Sequence, residues 1–209
     1  MSIFVRDTFT DADGVLLQDH TPDVGGSWSR ISGQLNVTIE IGANQAVGVG
    51  AVGGFGRYLN TAAAVLQDID LSFSWVAGEP EGSLYHTSLS TGINESRYLW
   101  RYETDRYVIR KVYDNQSSLL TSLVEAAPTL PATVVFSFRP AGGPRLLLSV
   151  NGAVKLTSLD NTIGRIYQVG VRCRPDERVD DLIATESEST PLVEYVLNLM
   201  RRAKRVLPY

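Results

Sequence analysis

The chain has 209 residues, 44% apolar and 20% charged, with a net charge of −4. That is length and apolar content enough for one large core, and it lacks the cationic surplus of a surface that grips nucleic acid. One cysteine, Cys173, excludes an internal disulfide, and no apolar run of about eighteen residues is present to cross a membrane as a helix.

The chain opens on Val5-Arg-Asp-Thr-Phe-Thr-Asp-Ala-Asp-Gly14 and His20-Thr-Pro-Asp-Val-Gly-Gly-Ser-Trp28. This reads as a strand, an acidic turn, a Pro/Gly loop and a second strand. Arg6 and Asp7 follow Met1-Ser-Ile-Phe-Val at once, unlike a secretory leader, so synthesis in a cytoplasm is expected. Near the other end, Arg178-Val-Asp-Asp-Leu-Ile-Ala-Thr185 has a similar acidic start. These two ends are expected to pair and close one β-sandwich.

Between them, strand-like alternation dominates. Leu35, Val37, Ile39 and Ile41 share one face. Ile69, Leu71, Phe73 and Trp75 share another, opposite Asp70, Ser72 and Ser74. Arg97–Tyr102 and Arg106–Tyr113 flank Glu103-Thr-Asp105 as a hairpin, and Thr133–Arg139 ends at Pro140-Ala-Gly-Gly-Pro144. Asn151-Gly152 joins Arg145–Val150 to Ala153–Leu156 with the two residues that a type I′ turn favours. Runs at 165–173 and 179–185 complete about ten to twelve short strands, the pattern of an all-β, two-sheet antiparallel jelly roll. The expected sandwich covers residues 1–187.

Residues 188–209 break the pattern. Thr190-Pro191 suits a helix start. Leu192, Val193, Val196, Leu197 and Met200 then recur at helical period, and Arg201 and Arg205 fall where cations complement the helix dipole. The last twenty residues carry +3 and the remainder −7. An amphipathic C-terminal α-helix after a polar linker suits a partner protein or a sibling subunit first, docking on its own sandwich second and an anionic membrane last.

Several motifs have both a chemical and a plain structural reading. Gly48-Val-Gly-Ala-Val-Gly53 matches a dinucleotide-binding pattern, but no strand–helix setting surrounds it; a Gly-rich loop or irregular edge strand is the preferred reading. Asp11 and Asp13, with Asp180 brought near by closure of the sandwich, are the calcium candidates, weighed against an Asx turn. Glu79-Pro-Glu81 reads as solvated surface. Cys173 has the parity of buried neighbours and reads as a structural thiol. Tyr98, Trp100 and Tyr102 share one face of a strand, with Arg97, Leu99 and Arg101 on the other. Trp100, Arg101, Tyr102 and Arg106 form a candidate glycan surface, since aromatic faces stack on sugar rings; the competing and preferred reading puts the aromatics in the core. Only two histidines exist and no Gly-x-Ser-x-Gly elbow, so no catalytic set is assigned.

The order of these pieces resembles the concanavalin A-like lectin/glucanase jelly roll in its laminin-G-like form. The likeness covers residues 4–186 and is carried by Tyr98-Leu-Trp, Tyr107-Val-Ile-Arg-Lys-Val, Val134-Val-Phe-Ser-Phe, Leu146-Leu-Leu-Ser-Val-Asn-Gly and Val179-Asp-Asp-Leu-Ile-Ala. Asp7-Thr-Phe9, Pro22-Asp23 and Trp28 are similar to domains of tailed-bacteriophage virion proteins. The resemblance implies a non-enzymatic module, because the clustered Glu-x-Asp-x-x-Glu motif of the hydrolase members is missing. It further implies a virion structural protein, of tail, fibre or decoration type. Its sandwich would be displayed outward, and its helix would bind other virion proteins or copies of itself. The alternative is a carbohydrate-binding adhesion module taking a host-surface glycan. No cofactor is implied beyond the candidate calcium.

Overall fold

The structure is a computed structural model that describes residues 1–33, 37–86, 95–141 and 144–188. Fifteen strands occur in this part of the chain: β1 (Ser2–Asp7), β2 (Trp28–Gly33), β3 (Val37–Ile41), β4 (Ala46–Gly50), β5 (Gly56–Asn60), β6 (Asp68–Ala77), β7 (Glu81–Tyr85), β8 (Arg97–Glu103), β9 (Arg106–Tyr113), β10 (Gln116–Val124), β11 (Ala132–Phe138), β12 (Leu146–Val150), β13 (Ala153–Ser158), β14 (Gln168–Cys173) and β15 (Arg178–Ser187). One sheet runs β13-β12-β11-β6-β15-β4-β3, with β1 also on β15; the other runs β10-β9-β8-β7-β14-β5-β2. The pairings are antiparallel, and the two sheets pack face to face as a sandwich. The expected C-terminal helix, with Leu192, Val193, Val196, Leu197, Met200, Arg201 and Arg205, lies outside the described residues, as does Leu35.

The core is where period-2 patterning puts it. Ile69, Leu71, Phe73 and Trp75 of β6 face Tyr98, Trp100 and Tyr102 of β8, all buried. The rings interlock: Phe73 lies 5.7 Å from Trp100, and Trp75 lies 6.1 Å from Trp100 and 5.5 Å from Tyr102. Offset and tilted aromatic packing of this kind contributes about 0.5–1.5 kcal/mol per pair beyond area burial. Asn151 and Gly152 both hold positive φ, 51° and 77°, as the type I′ reading requires.

The two chain ends pair as expected. Ser2–Asp7 of β1 runs antiparallel to Leu182–Glu186 of β15. A bulge makes this pairing compatible with a third neighbour. β15 keeps β6 along one side, but its register shifts between Asp180 and Ile183, and Asp181 has φ 48°. Before the bulge Arg178 and Val179 pair with β4; after it the strand pairs with β1. Asp tolerates the left-handed conformation that such an extra residue needs. The opening loop is then tied down by one buried carboxylate. Asp7 accepts from Trp28 Nε1 at 2.6 Å and from the Phe9 amide at 2.7 Å, and stands 2.9 Å from His20 Nε2.

Candidate functional site

The strand order of the second sheet places β8, β7, β14 and β5 side by side, although they are far apart in sequence. Alternation sends Leu84, Trp100, Val171 and Tyr58 into the core, and Glu81, Arg101, Arg172 and Arg57 to the outer face. The registers then align these four across the strands. Glu81 sits opposite Arg101 on one side and Arg172 on the other, and Arg172 sits opposite Arg57. A single carboxylate is thereby set in a row of guanidinium groups.

Glu81 is only 1% exposed. Its carboxylate lies 3.8 Å from Arg57 Nε, 3.8 Å from Arg97 Nη2 and 3.9 Å from Arg172 Nε, and accepts the Ser83 hydroxyl at 2.9 Å. Burial alone pushes a carboxyl toward protonation, but Arg97, Arg57 and Arg172 together outweigh it and hold Glu81 below the usual range. Glu95 pairs with Arg97 and lies 3.5 Å from Arg57 Nη1. Burial in turn lowers the pKa of Arg97 and of Arg172. The Phe55 ring faces two of the cations, 5.1 Å from Arg57 and 5.0 Å from Arg172.

At the rim of this row an open pocket of about 230 Å³ is lined by Glu79, Arg101, Glu103, Thr104, Arg172 and Arg174, with Tyr102 at its inner wall. Glu103 accepts from Arg101 Nε at 2.5 Å and from Arg110 Nε and Nη2 at 3.0 and 3.2 Å. Burial raises its pKa, but the bonds from Arg110 and Arg101 prevail and lower it. Glu79 accepts the Thr104 amide at 3.2 Å and lies 3.7 Å from Arg174 Nη1, tying the β8–β9 turn to the end of β14. Glu177 accepts the Arg174 amide at 2.6 Å and is buried; desolvation raises its pKa. Glu177 is not among the pocket's lining residues.

Buried polar atoms of this face without a hydrogen-bond partner among the described residues include Arg97 Nε, Arg172 Nη1, Gln168 Oε1 and Tyr85 Oη. Buried polar groups are matched in the great majority of cases, so such a cluster needs a cause.

The sequence-derived candidates divide. Arg101 lines the pocket. Arg106 is exposed at the β8–β9 turn, 3.0 Å from Asp105. Trp100 and Tyr102 are in the core, Trp100 at 0% exposure. They cannot stack on a sugar, because the inward face of β8 is the one packed against Phe73 and Trp75. The calcium candidates also disperse. Asp11 Oδ1 accepts the Ala12 amide at 2.8 Å and its Oδ2 lies 3.3 Å from His20 Nδ1; Asp13 accepts the Ala43 amide at 2.7 Å; Asp180 accepts the Asp181 amide at 2.8 Å. Among the described residues no three His, Cys, Asp or Glu side chains converge as a cation requires. Glu79-Pro-Glu81 is not solvated surface, since Glu81 belongs to a strand and is covered. Gly48-Val-Gly-Ala-Val-Gly53 spans the end of β4 and the turn after it. Cys173 is buried, and desolvation raises its thiol pKa strongly. Sequence reasoning missed Arg57, Glu81, Arg172 and Arg174 as one site. A usable signal was present in β8, where Arg97 and Arg101 alternate with Tyr98, Trp100 and Tyr102. Once the aromatics are assigned to the core, the arginines fall on the opposite face of the strand, where Arg101 is part-exposed and Arg97 is covered.

No protein-family model and no curated protein matches the sequence. Solved structures do match the fold. One is a Bacillus subtilis protein of unknown function with a galectin-like fold, at 10% identity and TM-score 0.56, covering 78% of this chain and 90% of that one. A second is the carbohydrate-binding module CBM66 from Bacillus subtilis, at 12% identity and TM-score 0.50, covering 78% and 93%. A third is the β-glucanase of Bacillus licheniformis, at 9% identity and TM-score 0.54, covering 86% and 100%. At these identities the likeness is one of fold: a galectin-like or concanavalin-like jelly roll.

Proposed function

We propose that this chain is a non-catalytic carbohydrate-binding module. Its binding face is the outer face of β8, β7, β14 and β5, with the Glu79–Arg101–Glu103–Arg172–Arg174 pocket as the recognition point. The observation that carries the reading is the group of buried, unmatched polar atoms, Arg97 Nε, Arg172 Nη1 and Gln168 Oε1, on the face that also holds this polar pocket. Saccharide hydroxyls supply donors and acceptors in the mixture that such a face lacks. A carbohydrate-binding module and a carbohydrate recognition domain among the fold neighbours agree with this choice over a purely structural one. A non-catalytic role fits the carboxylates. Glycoside hydrolysis needs one carboxyl kept protonated beside the sugar and one ionised. Glu103, on the pocket wall, is held ionised by arginines, and Glu177, whose pKa is raised, is buried outside the lining. A glycan array probed with the intact chain tests the proposal: selective capture of a saccharide series supports it, and silence across the array refutes it.

The virion setting is part of the proposal as a context, carried by the opening-strand resemblance and by the helical period of residues 192–205. A saccharide-binding sandwich displayed on a particle satisfies both readings. Removal of residues 189–209 is expected to leave glycan capture intact and to abolish association with particle proteins or sibling subunits; unchanged association refutes the anchoring role.

A further inference from the structure

We infer that the pocket between the β8–β9 turn and the end of β14 selects saccharides bearing an oxyanion, a uronate carboxylate or a sulfate ester, over their neutral counterparts. The inference rests on the carbohydrate-binding reading and adds the ligand's charge.

The argument starts from the charges on this face. Six arginines stand on it or at its rim (Arg57, Arg97, Arg101, Arg110, Arg172 and Arg174) against five glutamates (Glu79, Glu81, Glu95, Glu103 and the buried Glu177). The difference is one positive charge, on a chain whose net charge is −4. The glutamates are also unevenly committed. Glu103 is taken up by Arg101 and Arg110 in hydrogen bonds, and Glu95 by Arg97. Arg172 and Arg174, the two cations on the β14 side, have ion contacts at 3.9 Å to Glu81 and 3.7 Å to Glu79, and the buried Glu177 acts on both through its charge. These are charge contacts without a hydrogen bond. Arg172 is 3% exposed and its Nη1 has no acceptor among the described residues.

A buried guanidinium donor left unmatched costs more than a neutral one, and the acceptor that suits it best is ionised and planar or tetrahedral. A carboxylate or sulfate entering the pocket meets Arg172 at its inner end and Arg174 at its half-exposed outer edge. Glu79 and Glu103, already engaged with Thr104, Arg101 and Arg110, stay as acceptors for sugar hydroxyls. A neutral sugar satisfies those acceptors but leaves the guanidinium pair without an ionised hydrogen-bond acceptor. Discrimination of about tenfold or more follows from one charge-assisted bond made or missed.

The test uses the intact chain and three immobilised saccharide sets on a shared backbone: neutral, uronate-containing and sulfated. Inorganic sulfate serves as competitor at constant ionic strength. The inference predicts that at least one acidic set binds about tenfold more tightly than the neutral set. Binding should weaken with salt and fall about tenfold in Arg174→Gln. That residue is half exposed, so its replacement spares the fold, as a thermal melt verifies; Arg172→Gln is a second variant, read only if its melt is retained. Equal binding of neutral and acidic sets overturns the inference and leaves carbohydrate binding standing. Binding of no set overturns both. Displacement by millimolar inorganic sulfate alone, with no preference for the saccharide, also overturns it, because the pocket is then a simple anion site.

Discussion

Replacing Glu81 by Gln probes the buried charge row most sharply, because it removes one charge and almost no volume. In the native chain three guanidinium groups lie 3.8–3.9 Å from this carboxylate. At an effective dielectric of about 20 each such contact is worth roughly 4 kcal/mol. Desolvating the carboxylate takes back several kcal/mol, so the net loss on breaking the cluster is about 3–5 kcal/mol. For a chain of this size that lowers Tm by about 6–20 °C at pH 7. The sign of the pH dependence follows from the depressed pKa. The ionised form is favoured by folding, so its contribution is complete above the unfolded value of about 4.3 and is lost as pH falls through the folded value. The gap between wild type and Glu81→Gln is therefore widest at neutral pH and begins to narrow as pH falls below about 4. Calorimetric melts of both chains from pH 3 to 8 read this directly. A variant as stable as wild type at pH 7, or a gap that does not shrink in acid, refutes the charge-row account.

Other residues give separate checks. A Cβ at Gly82 would stand 2.5 Å from Trp100 Nε1 and 2.8 Å from Phe73 Cε1. Gly82→Ala should thus cost about 1–3 kcal/mol by overpacking, read as a shift in the urea midpoint; a neutral result contradicts the packing. Tyr98 donates to Asp160 at 2.6 Å and accepts the Ile163 amide at 3.0 Å. Tyr98→Phe leaves the Ile163 amide without this acceptor and should cost about 1–3 kcal/mol; Asp160 loses one donor but keeps Lys111 and Thr162. Cys173 should resist thiol reagents in the folded chain at pH 8 and react once denatured; rapid native labelling contradicts its burial.

Much of the fold was readable because its signals are local. The alternation of Ile69-Asp-Leu-Ser-Phe-Ser-Trp75 and the Asn151-Gly152 turn each encode one structural decision in adjacent residues. β7 was not readable. Its inward positions are Gly82 and Leu84, because Trp100 and Phe73 from neighbouring strands fill the space beside Gly82. Apolar alternation is therefore missing, and Glu81 after Gly78-Glu79-Pro80 looks like loop. β10 hid for another reason: its register shifts between Leu119 and Thr121, which breaks any period of two. The same non-local logic concealed the site. Arg57, Glu81, Arg97 and Arg172 meet only because β14, late in the chain, inserts between β5 and β7. No spacing in the sequence announces that. For Trp100 and Tyr102 the sequence favoured a place in the core over a glycan surface, and packing against β6 is what holds them there.

The account's central claim is that the outer face of β8, β7, β14 and β5 binds saccharide. It is tested most directly by mapping amide chemical shifts of isotopically labelled protein on titration with the best ligand from the glycan array. The account predicts saturable shifts at Glu79, Glu103, Thr104 and Arg174, with β11, β12 and β13 unmoved. Shifts confined to the β11–β13 sheet, or none at a saturating concentration of that ligand, would contradict it.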